Sequence, residues 1–293
     1  MRVLAISLAV CVLVGCGRSA THPIEEAAPR LSFDYDTSQP LGYVDRGVVV
    51  RRGSIAVHDV AYLSGGERVD GYLVEGPQAT RRPGIVLVHG SGGDRGELVG
   101  AAVALAERGT VAMTITEPSS AHPLPAATSA TVLLARAQAM TVRDVIAVRR
   151  AADVLASLPV VDARRIGYLG WSAGAKTGTF VAASDQRFKA LVLLSGGADK
   201  LAVFVAAAPA SLRPLVKQRL ASVEPLRYIG WASPGTLLLE DGTRDAVVPH
   251  NALVNMTRSA PRGTLVRWYP AGHELNDAAY RDAFAWLVKR LGA

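Results

Sequence analysis

The pentapeptide Gly170-Trp171-Ser172-Ala173-Gly174 constrains this chain more than any other stretch. It follows the apolar run Arg165-Ile166-Gly167-Tyr168-Leu169 and continues in small residues as far as Gly178. A strand-like run, a G-x-S-x-G turn and a helix-compatible tail predict a strand bending sharply into a helix, with Ser172 at the apex. Glycines two positions to either side let the backbone turn where a Cβ would collide, and the hydroxyl is left exposed above a sheet. In a chain with 28 glycines the pattern alone decides little. A chemical role for Ser172 needs a base, an acid and an anion-stabilising site elsewhere.

The rest of the chain supplies the sheet. Val48 to Arg51, Ile55 to Leu63 and Val69 to Glu75 read as strands separated by glycine turns, an antiparallel start that would form one sheet edge. Gly84-Ile85-Val86-Leu87-Val88 and Ala190-Leu191-Val192-Leu193-Leu194 are apolar throughout, as expected of parallel strands covered on both faces. Further strands are expected at 110–116, 236–239 and 264–268, with helices at 97–108, 251–259 and near the C-terminus. Thr141-x-x-Asp144 suggests a capping box opening a helix to Leu158, with Val145, Val148, Ala152 and Leu155 as its buried stripe. Residues 117–139 are not placed, and 199–230 suggest two short helices interrupted at Pro209 and Pro214, a small cap. Strands alternating with helices predict one α/β domain with a mostly parallel sheet and helices on both faces.

Both cysteines, Cys11 and Cys16, lie near the N-terminus, so the body has no disulfide, cysteine nucleophile or thiolate metal site. Arg2 followed by the apolar run Val3 to Val14 has the form of a secretory signal and is too short for an ordinary transmembrane helix. Leu13-Val14-Gly15-Cys16 resembles the bacterial lipobox, which implies cleavage before Cys16, lipidation of that cysteine and a membrane anchor in the bacterial envelope. The expected division is a signal peptide at 1–15, a lipidated N-terminus and tether at 16–46, and a catalytic-type domain at 47–293. The net charge of +7 comes from scattered cations without a basic run, which argues against a nucleic-acid partner.

A serine hydroxyl needs a neutral imidazole to take its proton. Of six histidines, His22 falls in the tether, His58 in an N-terminal strand, and His89 before the glycine loop, where packing is the commoner role. His122 lies in the unplaced segment and His250 at a helix start. His273 lies in a loop between a strand and the last helix, on the side of an open α/β sheet where ligands bind. Asp245, after Leu237-Leu238-Leu239, is the preferred acid, with Asp241 on the same loop as its rival. The order Ser172, Asp245, His273 is one of the known orders of a serine, acid and base triad. The backbone N–H of Ala173 and that of Ser91, with Gly92 as alternative, are the candidate oxyanion donors. Asp94-Arg95 is expected to be an ion pair bracing the loop.

With these pieces assembled, the chain resembles the α/β-hydrolase superfamily, most closely its dienelactone-hydrolase-like and small-esterase members. The matching segments are His89-Gly90-Ser91-Gly92, Val161 to Gly167, Gly170 to Gly174, Gly242 to Pro249 and Gly272-His273. The resemblance implies an α/β-hydrolase fold, a nucleophile at Ser172, an acid at Asp245, a base at His273 and no cofactor. Dienelactone hydrolases proper use a cysteine nucleophile, so Ser172 argues against that particular reaction. The expected activity is cleavage of a small acyl ester. A serine peptidase is the alternative, and a non-catalytic binding lipoprotein ranks after both.

Overall fold

The structure, a computed structural model, describes residues 31–77, 80–122, 130–197, 205 and 208–293. The expected signal peptide, Cys16 and His22 lie outside the described residues, as do 123–129 and most of 198–207. The strands are β1 (Val44–Arg52), β2 (Ile55–Ser64), β3 (Glu67–Glu75), β4 (Arg82–Val88), β5 (Val111–Ile115), β6 (Val161–Trp171), β7 (Phe188–Leu194), β8 (Leu237–Gly242) and β9 (Leu265–Tyr269). They form a single nine-stranded sheet in the order β1-β2-β3-β5-β4-β6-β7-β8-β9. The first three strands pair antiparallel and β3 meets β5 antiparallel, after which every pairing is parallel. The antiparallel edge and parallel centre are as expected from the sequence.

The continuous apolar runs have a direct consequence. Side chains alternate across a strand, so β4 sends Val86 and Val88 to one face and Ile85 and Leu87 to the other. On the first face pack α3 (Ala130–Ser157) and α4 (Ala173–Ser184); on the second, α1 (Val99–Ala106) and α7 (Asp277–Leu291). Each face has its own core. Among the described residues the sheet is joined by further α-helices, α2 (Pro118–Ala121), α5 (Arg213–Ala221) and α6 (His250–Ser259). Among the described residues no helix is long and apolar enough to cross a membrane.

Three sequence expectations are corrected. Thr141 does not open a helix. α3 begins at Ala130, because Ala130 to Met140 is rich in strong helix formers and continues the helix upstream. Thr141 lies inside it and its hydroxyl donates back to the Ala137 carbonyl at 2.9 Å, while buried Asp144 accepts from the Ser119 amide. The buried stripe of Val145, Val148, Ala152 and Leu155 is as expected. Second, Pro214 does not interrupt a helix. It sits in the first turn of α5, where its missing N–H costs nothing, and Pro209 precedes a single 3-10 turn. The described part of this segment packs on α3 and α4.

Third, the tether does not extend to residue 46. β1 starts at Val44, and residues 31–43 are part of the folded body. Phe33 is buried against the rings of Phe180 and Tyr228. The Leu31 amide donates to the Tyr228 hydroxyl, Tyr35 donates to Asp153, and Arg150 donates to the carbonyls of Gln39 and Pro40. The segment looked like a linker because it is polar and proline-punctuated. Its hold comes from apolar side chains such as Phe33 and from polar partners more than a hundred positions away, Arg149 and Arg150 among them.

Removing that aromatic tests the correction. Phe33→Ala should lower unfolding stability by about 3–5 kcal/mol in a urea titration, as for other buried aromatics. A change within about 0.5 kcal/mol, typical of surface positions, would return 31–43 to the status of a linker.

Candidate active site

The turn after β6 is built from close backbone contacts. A Cβ on Gly170 would lie 2.4 Å from the Gly174 carbonyl oxygen, and one on Gly174 would lie 2.3 Å from that of Val88. Only glycine allows α4 to start this close to β4. Ser172 sits between them at φ 54° and ψ −107°, outside the regions comfortable for an L-residue. It is held there by hydrogen bonds from its own amide to the Leu194 carbonyl and from the Gly174 amide to the His89 carbonyl. The strained apex points Oγ out of the sheet edge.

The loops after β8 and β9 bring the other two residues. They are zipped together: the Thr243 amide donates to Tyr269 and the Arg244 amide to Ala271. A Cβ on Gly242 would fall 2.4 Å from the Gly272 carbonyl oxygen, so glycine is needed here as well. The result places His273 Nε2 2.8 Å from Ser172 Oγ and His273 Nδ1 2.8 Å from Asp245 Oδ2. The Asp245 side chain is 1% exposed, and its other oxygen accepts from the amides of Val247 and Val248 at 2.8 and 2.9 Å. An ionised Asp245 has no proton to donate, so its contact places the imidazole proton on Nδ1 and the lone pair on Nε2, facing the serine. Oγ can then donate to that lone pair.

Asp241, the rival acid, makes no hydrogen bond to His273 among the described residues. It is buried on β8, and burial followed by the charge of Asp245 pushes its carboxyl up to about 7. Its neighbour Glu240 turns toward β9, accepting from the Tyr269 hydroxyl at 3.1 Å, and burial pushes it up to about 8. Glu274 is exposed.

The glycine loop after β4 is braced from several sides. His89 is buried, with Nδ1 2.6 Å from the Gly90 carbonyl and Nε2 accepting from the Glu117 amide at 3.0 Å, the packing role expected of it. The Glu97 carboxylate accepts from the Gly90 amide at 2.6 Å. Arg95 does brace the region, but its partner is Asp59, together with the Gly71 carbonyl and the face of Tyr72. Asp94 instead accepts from the Gly96 amide within its own turn, so the expected Asp94-Arg95 pair does not form. Among the described residues, neither the Ala173 nor the Ser91 amide donates to a protein acceptor.

Of the other described histidines, His58 meets Asp45, His250 packs against Trp268, and His122 is exposed at the end of α2. Sequence reading also missed four residues that support the site. Glu97 holds the glycine loop, and buried Glu117 accepts from Thr177 on α4. Trp171 and Ser195 both donate to the His273 carbonyl. Trp171 stood inside the pentapeptide and was visible; the other three carry no pattern. Among the described residues no cluster of three or more His, Cys, Asp or Glu side chains is arranged to hold a metal ion.

Residues 134–292, more than half of the sequence, match the prolyl oligopeptidase family. The chain belongs to that family. The match takes in most of α3, the Ser172 turn and both zipped loops, so Ser172, Asp245 and His273 all lie within it. No curated protein matches this sequence. Among solved structures, acetyl xylan esterase 1 from Thermoanaerobacterium sp. JW/SL YS485 is similar at TM-score 0.73 and 15% identity, covering 87% of this chain and 90% of that one. An acetyl xylan esterase from Paenibacillus sp. R4 gives 0.72 and 18%, covering 86% and 90%. A cold-adapted esterase from an Arctic intertidal metagenomic library gives 0.62 and 17%, covering 82% and 96%. With the sheet order and the family match, these likenesses establish an α/β-hydrolase fold.

The buried acids give this family member a pH-dependent stability. Burial raises Glu117, Glu240 and Asp241, so the folded chain keeps their protons where the unfolded chain, with values near 4, has released them. Stability therefore falls as pH rises through that interval. Asp59 and Asp162 are held low by hydrogen bonds from Arg46 and Arg164; above about pH 5 they are ionised in both states and add no slope. The melting temperature should fall between about pH 5 and pH 8, and Asp241→Asn should flatten that fall in scanning calorimetry at constant ionic strength.

Proposed function

We propose that this chain is a serine hydrolase that cleaves a carboxylic ester through an acyl-enzyme on Ser172. The observation that carries the reading is the continuous Asp245–His273–Ser172 hydrogen-bonded line, with both links at 2.8 Å. In this reading, His273 Nε2 takes the Oγ proton as Oγ attacks the ester carbonyl. The oxyanion is received by the amides of Ala173 and Ser91, the first aided by the N-terminus of α4. The imidazolium returns its proton to the departing alcohol, leaving Ser172 acylated. Water, deprotonated by His273, then releases the carboxylic acid and restores the serine hydroxyl. Asp245 stays ionised throughout and stabilises the imidazolium.

Support for an ester comes from shared architecture with proteins described as esterases. Family membership favours a second reading, a serine peptidase on the same triad. The two differ in the leaving group alone. A panel of p-nitrophenyl esters set against aminoacyl p-nitroanilides separates them by kcat/KM, and the ester reading expects the esters to win. A fluorophosphonate probe should label Ser172, and Ser172→Ala should abolish labelling while keeping at most a ~10³–10⁴-fold acceleration over water. Well-folded protein that resists the probe at neutral pH would sink both readings.

The proposal places the enzyme in the bacterial envelope, anchored by lipid on Cys16, on the strength of Leu13-Val14-Gly15-Cys16 and the apolar run before it. Cys16→Ser should move the protein from the membrane pellet to the soluble fraction after cell breakage. An unchanged distribution would remove the anchor from the proposal.

A further inference from the structure

The His273 carbonyl is gripped twice. Trp171 Nε1–H donates to it at 3.0 Å and Ser195 Oγ–H at 2.7 Å. Neither side chain belongs to the nucleophile, acid, base and oxyanion set, and they arrive from different strands. Trp171 ends β6, immediately before the nucleophile, and Ser195 follows β7.

Both donors are themselves built in. Ser195 is fully buried and sits at φ 51°, a conformation unfavourable for an L-residue. Its amide donates to the Glu240 carbonyl, which fixes the backbone that aims the hydroxyl. The Trp171 ring lies so close over Gly90 that a Cβ there would be 2.6 Å from Cζ3. The same ring lies 5.4 Å from the His273 imidazole. The indole therefore touches the loop that carries Ser91 and the loop that carries the base.

We propose that Trp171 and Ser195 are positioning residues that set the register of His273 against Ser172, the indole also tying the base to the oxyanion loop. The proposal rests on the reading of Ser172, His273 and Asp245 as a catalytic triad. Asp245 and Ser172 hold the imidazole ring, but neither holds the main chain from which it projects. The loop's own bonds flank His273: Ala271 accepts from Arg244, and Leu275, at φ 61°, donates to Gly272. The carbonyl of His273 itself is held by the two side chains. Geometry errors near 1 Å at a reacting group cost up to ~10²-fold in rate, so a double grip on this carbonyl has kinetic consequences.

The test uses the full chain carrying Trp171→Phe, Ser195→Ala and the pair. Trp171→Phe keeps an aromatic ring and deletes the donor; Ser195→Ala deletes the hydroxyl, and Ser195→Gly, suited to positive φ, replaces it if the alanine variant folds poorly. Three readouts are taken: the low-field proton NMR signal of His273 Nδ1–H, p-nitrophenyl acetate kinetics, and thermal unfolding. Each single variant should shift or broaden the NMR signal and lower kcat about 10-fold with KM within about 2-fold, and the pair should approach ~10²-fold. A wild-type signal and wild-type kcat in all variants would overturn the proposal. So would lost thermal stability with signal and kcat unchanged, which is the signature of packing alone. If the wild type neither turns over ester nor reacts with the fluorophosphonate, but the variants still shift the NMR signal, the hydrolase reading fails while the positioning of His273 stands.

Discussion

The site depends on how closely the first turn of α4 approaches the end of β4. Gly174 rests against the Val88 carbonyl and Gly170 against Gly174, each at a separation that excludes a side chain. This contact brings the base of the helix down onto the sheet and forces Ser172 into its positive-φ apex. It also places the first amide of α4 beside the glycine loop that follows β4. Ser172 and both candidate oxyanion donors are thus arranged by one steric condition.

The second half of the site is joined to the first through the sheet edge. β8 and β9 run parallel in register, with Gly242 opposite Tyr269, and their loops continue that pairing by two further backbone bonds. Asp245 and His273 are therefore carried on one paired edge. Trp171 and Ser195 fasten this edge to β6 and β7. Around it the protein buries several carboxyl groups, of which Asp241 and Glu240 lie next to each other on β8. Burial favours their neutral form, whereas Asp245 reaches His273 and accepts three hydrogen bonds.

Much of this was legible in the chain. The apolar runs of β4 and β7 announced strands covered on both sides, and each does feed two cores. Ser172, Asp245 and His273, which the structure brings into one hydrogen-bonded line, were legible because each stands at a strand end marked by glycine, where turn chemistry leaves a local trace. The boundary of α3 was misread because a capping pattern of two residues competed with an eleven-residue run holding nine strong helix formers, and propensity summed over the longer run prevailed. The N-terminal segment was misread because its apolar residues, Phe33 among them, are scattered without strand or helix period, and no local pattern reveals that Phe180 and Tyr228 leave Phe33 a place.

The sequence by itself determined the element types, the parallel centre of the sheet and, at its edge, Ser172, His273 and a pair of rival acids, because period, glycine placement and residue chemistry are local properties. Tertiary structure decided the rest. It chose Asp245 over Asp241, since only the zipped loops determine which carboxylate reaches Nδ1. It gave Arg95 to Asp59 rather than Asp94, and it gave one carbonyl of His273 to two donors more than seventy positions away. Those choices depend on distances between segments far apart in the chain, which are defined only once both cores have closed on the sheet.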